Sequence, residues 1–226
     1  MAPSFFCSNA AETCKRLDNM SAHNVLLSAT RCILFVATFV LAASPTVQAE
    51  EGIEELVATC AACHGENGVP QDQATPVIWG QNEGYMYLQL RDLQKGTRKN
   101  EQMQAIVDGL ERAQLRALAA HFSKLEWPSL GQPDAPPSVE KKAKTVSLAM
   151  SCTVCHQGEY EGDGTTGRIA GQSLAYLNKT AEDFRSGTRA NNPGMANIFR
   201  SMEQDDIETM NEYLAGLRLQ RSAGRR

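Results

Sequence analysis

Ala58 to Gly68 reads ATCAACHGENG, and Ala149 to Glu159 reads AMSCTVCHQGE. Each stretch holds Cys, two spacer residues, Cys and His: Cys60, Cys63 and His64 in the first, Cys152, Cys155 and His156 in the second. Nothing else in the chain constrains its fold so tightly, because the rest of the sequence falls into register once these two pentapeptides are superposed. PVIWGQ (76–81) faces GRIAGQ (167–172), and GYMYLQLRDLQKGTR (84–98) faces AYLNKTAEDFRSGTR (175–189). MQAIVDGLERAQLRALAAHFSKL (103–125) faces MANIFRSMEQDDIETMNEYLAGL (195–217). His64 precedes Met103 by 39 positions, and His156 precedes Met195 by the same 39. A repeat this long is one supersecondary plan used twice.

Between the halves lies EWPSLGQPDAPPS (126–138), a proline-rich stretch that reads as an extended connector. The expected organisation is a leader at 1–49, a first domain at 50–127, a linker at 128–138, a second domain at 139–220 and a tail at 221–226. The leader carries an apolar run from Ile33 to Ala43 after Arg31, then Ser44-Pro45 and small residues to Ala49. That run is shorter than the roughly 20 residues of a membrane span, so it reads as a cleaved export signal, with Met20 as an alternative start. Of the seven cysteines, Cys7, Cys14 and Cys32 fall in the leader; the other four all belong to the two motifs, and none is left for a structural disulfide. The net charge of −4 argues against a nucleic-acid partner.

The periodicity is helical in each half. Leu115, Leu118, Phe122 and Leu125 line one face, and Ile207, Met210, Leu214 and Leu217 line its counterpart. Middle helices are expected at 82–95 and 173–186, short helices ending near each cysteine pair, and a cap at Ser201–Gln204. No alternating strand pattern appears, so the fold class is all-α. A half of about 80 residues buries little core of its own. The glycine-rich segments HGENGVPQDQATP and HQGEYEGDGTTG make that shortage worse, and a bulky apolar group held inside each half would relieve it.

Two thiols three positions apart can form thioethers to the two vinyl groups of one porphyrin, with the adjacent His beneath the iron. The two motifs therefore point to two covalently bound haem c groups. A thioredoxin-like dithiol would need a βαβ context, and a Cys₄ zinc site would explain neither histidine. For the sixth iron position, Met103 and Met195 pair with each other in the repeat, whereas Met86, Met202 and Met210 face leucines and read as core. His121 faces Tyr213 and reads as packing.

These features together resemble the dihaem class I cytochromes c of the cytochrome c4 family. The residues that carry the likeness are the two C-x-x-C-H motifs, PVIWGQ and RIAGQ, the paired GTR triplets, the segments at Met103 and Met195, and the closing helices. The resemblance implies two tandem cytochrome c-like domains, each wrapped around one haem with His/Met ligation. It further implies electron transfer between respiratory partners in the bacterial periplasm, from a quinol–cytochrome c reductase or a dehydrogenase towards a terminal oxidase, with peripheral membrane association as an option. By the same resemblance Pro76 supplies the carbonyl that orients His64, and Gly167 replaces proline in that role for His156. Trp79 is a candidate to pack on the first haem or reach a propionate, with plain core packing as the alternative, and Arg98 and Arg189 are candidate propionate partners with solvent exposure as the alternative. Two other readings remain open at this point: a cytochrome subunit of a dehydrogenase such as flavocytochrome c sulfide dehydrogenase, and an enzyme with one open iron. In the second, the first half is the suspect, since RKNEQM lacks the Asn-Pro of NNPGM.

Overall fold

A computed structural model describes residues 52–218, and the expectations for 1–49 and 221–226 lie outside the described residues. Four helices build the first half: α1 (Glu54–His64), α2 (Glu83–Gln94), α3 (Glu101–Val107) and α4 (Arg112–Ser123). Five build the second: α5 (Pro137–Met150), α6 (Cys152–His156), α7 (Leu174–Ser186), α8 (Pro193–Ser201) and α9 (Gln204–Gly216). No strand occurs among the described residues; the only bridge pairs Arg98 with Arg189. The regular secondary structure among the described residues is accordingly all helical.

Local chemistry explains most of the boundaries. Glu54 and Glu55 place negative charge in the first turn of α1, where the helix dipole favours it. Asn100 and Asn192 cap α3 and α8 through their side-chain oxygens, and Pro193 starts α8 at the position where its missing N–H costs nothing. Glu111 and Gln114 form a reciprocal capping box on α4. The cap expected at Ser201–Gln204 is absent: Glu203 is the N-cap of α9, and the Ser201 hydroxyl instead donates to the Ile198 carbonyl at the end of α8. The cysteine motifs also depart from expectation. In the first half α1 runs unbroken through Cys60 and Cys63 to His64, while in the second Ser151 adopts a left-handed conformation and separates α5 from α6.

α2 packs against α4 and α3 in the first half; α9 packs against α5 and α7, and α7 against α8, in the second. The second core is continuous and includes Val146, Tyr160, Leu177, Met202, Ile207, Met210 and Leu214. The first core is split. Ile53, Met86, Leu118, Ala119 and Phe122 form one cluster, and Leu93, Val107 and Leu115 form another.

Residues 125–136 carry no regular structure, yet they do not hang free. The Gln132 amide donates to the carbonyls of Gln172 and Ala215 and accepts from the Leu174 N–H. Trp127 stacks under the Arg168 guanidinium at 4.2 Å. The connector is thus a strap fastened to the second half.

The halves grip each other with a pseudo-twofold set of bonds. The Gln81 side chain brackets residue 168, donating to the Arg168 carbonyl at 3.0 Å and accepting from its N–H at 2.7 Å. The Gln172 side chain brackets Val77 in the same way, at 3.1 and 2.9 Å. Arg98 donates to the Tyr176 hydroxyl, and Arg189 donates to that of Tyr85. In the repeat Gln81 pairs with Gln172, Tyr85 with Tyr176 and Arg98 with Arg189, so each bond has its mirror.

Candidate functional site

α1 presents Cys60, Cys63 and His64 on consecutive turns at its C-terminal end. His64 is buried, and its Nδ1–H donates to the Pro76 carbonyl at 2.8 Å. In the second half His156 Nδ1–H donates to the Gly167 carbonyl at 2.9 Å. With Nδ1 committed in this way, Nε2 of each ring is the nitrogen left to bind a metal. Burial holds both imidazoles below the usual histidine range, which favours the neutral form that ligates iron.

None of the four motif cysteines is in a disulfide. Cys60 and Cys152 are partly buried, and burial pushes the Cys60 thiol up to about 11 and raises that of Cys152. Cys63 and Cys155 are exposed. Each pair therefore spans from core to surface. No group of three or more His, Cys, Asp or Glu side chains among the described residues is placed to hold a bare ion, so the two pairs do not assemble a Cys₄ zinc site. Without strands the thioredoxin-like alternative has no scaffold either.

Met103 and Met195 stand in the first turns of α3 and α8. The Met103 N–H donates to Asn100 Oδ1 at 2.9 Å, and the Met195 N–H to Asn192 Oδ1 at 3.1 Å. The missing proline in RKNEQM thus makes no difference to the cap: the asparagine does the same work in each half. Met103 also packs against the Leu93–Val107–Leu115 cluster.

Trp79 is part-buried against the Ile53–Phe122 cluster, and its ring lies so close to Gly68 that a Cβ there would approach it to 2.7 Å. His121 makes an edge contact to Phe122 at 5.1 Å, as its packing role requires.

Arg98 and Arg189 come together across the interface. Arg189 is 6% exposed, which excludes the solvent-facing alternative for it. Its guanidinium reaches Gln89, Asn191 and Tyr85 and stacks on Phe184 at 4.5 Å. Arg98 reaches Gln89 and Tyr176. None of these partners is a carboxylate, and neither arginine has a carboxylate partner among the described residues. Burial opposes ionisation of Tyr176, but the neighbouring Arg98 and Arg189 charges outweigh it and hold the hydroxyl below the usual tyrosine range. One buried and one half-buried guanidinium meeting without a directly paired carboxylate make a site of positive potential. Haem c carries two carboxylates, so this observation fits the group that the cysteines and histidines call for.

Sequence reasoning passed over the reciprocal glutamines, the Tyr85–Tyr176 pair and Gln132. Their signal was present, since Gln81/Gln172 and Tyr85/Tyr176 are identical at matched positions of the repeat. Gln132 had no such counterpart.

Comparisons with known proteins agree with one another. The family model described as cytochrome c matches residues 140–218. Cytochrome c4 of Azotobacter vinelandii is 31% identical over 179 residues, covering 71% of this chain and 85% of the relative. A thiosulfate dehydrogenase electron acceptor of Stutzerimonas stutzeri is 29% identical over 182 residues, covering 76% and 84%. The crystal structure of reduced recombinant cytochrome c4 from Pseudomonas stutzeri superposes with a TM-score of 0.66 at 29% identity, covering 75% of this chain and 98% of that one.

Proposed function

The chain belongs to the cytochrome c4 family, and from that premise we propose that it is an exported periplasmic relay whose two haems pass electrons directly to each other between a respiratory donor and a terminal oxidase. As a member of that family it carries two covalently bound haem c groups and acts in electron transfer. Bound haem c supplies reversible one-electron chemistry at its iron. Cys60 and Cys63 are assigned to one thioether pair, Cys152 and Cys155 to the other. His64 and Met103, and His156 and Met195, are assigned as axial ligands.

The observation that carries the relay reading is the reciprocal clasp. Pro76 and Gly167 hold the two histidines, and the very next residues, Val77 and Arg168, are gripped by Gln172 and Gln81 of the opposite half. The segments that orient the two ring ligands are therefore bonded to each other's halves. Arg98 and Arg189 bring cationic groups from both halves to one point. This arrangement supports a fixed spacing between the two redox centres, which fast internal exchange requires. A tethered pair of independent domains would lack it.

The matched caps of Met103 and Met195 favour six-coordinate iron in each half, and so a carrier over an enzyme. Similarity to thiosulfate dehydrogenase electron acceptors favours a second reading, in which the donor is a periplasmic sulfur-compound dehydrogenase. No helix among the described residues is long and apolar enough to cross a membrane.

The test is spectroscopic. The protein matured in a periplasm should show two haems per chain by haemochrome assay and a full-strength methionine-to-ferric-iron charge-transfer band. A half-strength band, or a high-spin fraction that takes up cyanide readily, would refute the closed-iron assignment. Rapid-mixing reduction should populate both haems in one concerted phase; two independent phases insensitive to Gln81 and Gln172 would refute the relay.

A further inference from the structure

We propose that the α2–α4 face of the first half is the docking surface for a redox protein with an acidic patch, and that the corresponding face of the second half turns such a partner away. The proposal rests on the electron-carrier reading above. Tyr87 organises the first face. Its hydroxyl accepts a hydrogen bond from Arg112 Nε at 3.0 Å, and the Arg116 guanidinium lies 4.6 Å over its ring. Arg91, one turn further along α2, and Lys95, the C-cap of that helix, continue the same stripe. Arg91 has one carboxylate partner, its neighbour Asp92, at 2.8 Å. Arg112, Arg116 and Lys95 are exposed and have none among the described residues.

Cations on a protein surface usually find carboxylates nearby; here tyrosine holds two guanidiniums in place without neutralising them. Held arginines lose little freedom on binding, and their planar forks match carboxylates in pairs. The complementary surface is therefore rich in Asp and Glu.

The repeat supplies an internal control. At the matched positions of the second half stand Asn178 for Tyr87, Glu182 for Arg91, Ser186 for Lys95, Gln204 for Arg112 and Glu208 for Arg116. α4 contains Arg112 and Arg116 and no Asp or Glu, whereas α9 contains Asp205, Asp206, Glu208 and Glu212 and no Lys or Arg. Lys142 engages Asp205 and Asp206, and Arg185 donates to Gln204, yet Glu182, Glu208 and Glu212 have no Lys or Arg partner among the described residues. Two halves built on one plan thus carry opposite charge on one face. The first face also lies next to a proposed iron ligand: Tyr87 and Leu90 pack against the same Leu93–Val107–Leu115 cluster as Met103. A partner bound there would be steered by charge and released by salt.

The experiment is an NMR titration of the reduced, haem-loaded, ¹⁵N-labelled protein with an acidic blue-copper protein carrying redox-inert cadmium. Shifts are expected at 87–95 and 111–117, and not at 178–186 or 203–209. R112E/R116E should weaken binding about tenfold at low ionic strength. R112Q/R116Q should show a smaller loss, which guards against misfolding of the reversal. E208R is expected to leave binding at the first face unchanged. Shifts centred elsewhere, no binding by the wild type, or equal binding by R112E/R116E would overturn the docking proposal. Reduction of the haems by a small neutral reductant is measured in parallel. If it proceeds normally while docking fails, the carrier reading stands and only the surface assignment falls; a protein that does not cycle its haems refutes the carrier reading itself.

Discussion

Segments 76–81 and 167–172 do one job with different backbones. Each offers a carbonyl to a histidine at nearly the same distance, 2.8 Å at Pro76 and 2.9 Å at Gly167. The first uses proline, whose ring restricts the backbone. The second uses glycine because the Tyr85 ring of the other half lies against it; a Cβ at 167 would meet that ring at 2.9 Å. The repeat therefore breaks where the halves touch, and the interface, rather than the haem, selects the glycine. The two cores differ in the same spirit: continuous in the second half, split in the first.

The widest separation between the halves is expected on removing covalent attachment. C60A/C63A should cost the first half much of its helix signal by circular dichroism, because its two small clusters cannot merge unaided. C152A/C155A should retain more, since the second core is already joined. A loss of several kcal/mol in the first case is in line with small domains that depend on an added group. Equal losses would break the comparison.

The clasp comes next. Gln172→Ala leaves the buried N–H and carbonyl of Val77 without partners, and about 3 kcal/mol of stability should go with them by chemical denaturation. Gln81→Ala exposes the corresponding groups of Arg168, which lie nearer solvent, so its loss should be smaller, about 2 kcal/mol. The reverse order would show that the pseudo-twofold bonds are unequal for another reason.

Gly167→Ala should cost about 1–2 kcal/mol by crowding Tyr85 and loosening its bond from Arg189. Tyr85→Phe in the same background should not add its full single-mutant cost, a coupling that a double-mutant cycle reads directly.

The smallest effects should also be the most alike. Asn100→Ala and Asn192→Ala each remove one cap of similar length and should each cost about 1 kcal/mol, agreeing within about 0.5 kcal/mol. A markedly larger effect at Asn192 would mean that Pro193, and not the asparagine, distinguishes the two methionine turns.

Much of this was legible in the chain because it is local or repeated. The α2 and α7 helices fall within a residue of their expected bounds at each end, since apolar spacing fixes them. The five-residue motifs marked His64 and His156, and equal spacing marked Met103 and Met195, as the ligands proposed above. The false cap at Ser201–Gln204 shows the limit of local reading: serine served the end of one helix instead of the start of the next. The connector shows it too, since proline content announced irregular backbone but not the bonds of Gln132 and Trp127 that fasten it.

By itself the sequence determined two helical halves, the attachment motifs and their pairing, because covalent spacing and helical period are properties of neighbouring residues. Only the tertiary structure decided that Gln81 and Gln172 cross over, that Arg98 meets a buried Arg189 with no directly paired carboxylate among the described residues, and that Gly167 yields space to Tyr85. Those contacts join residues some 80 to 100 positions apart, and which of many polar side chains meet at that range depends on how two surfaces dock.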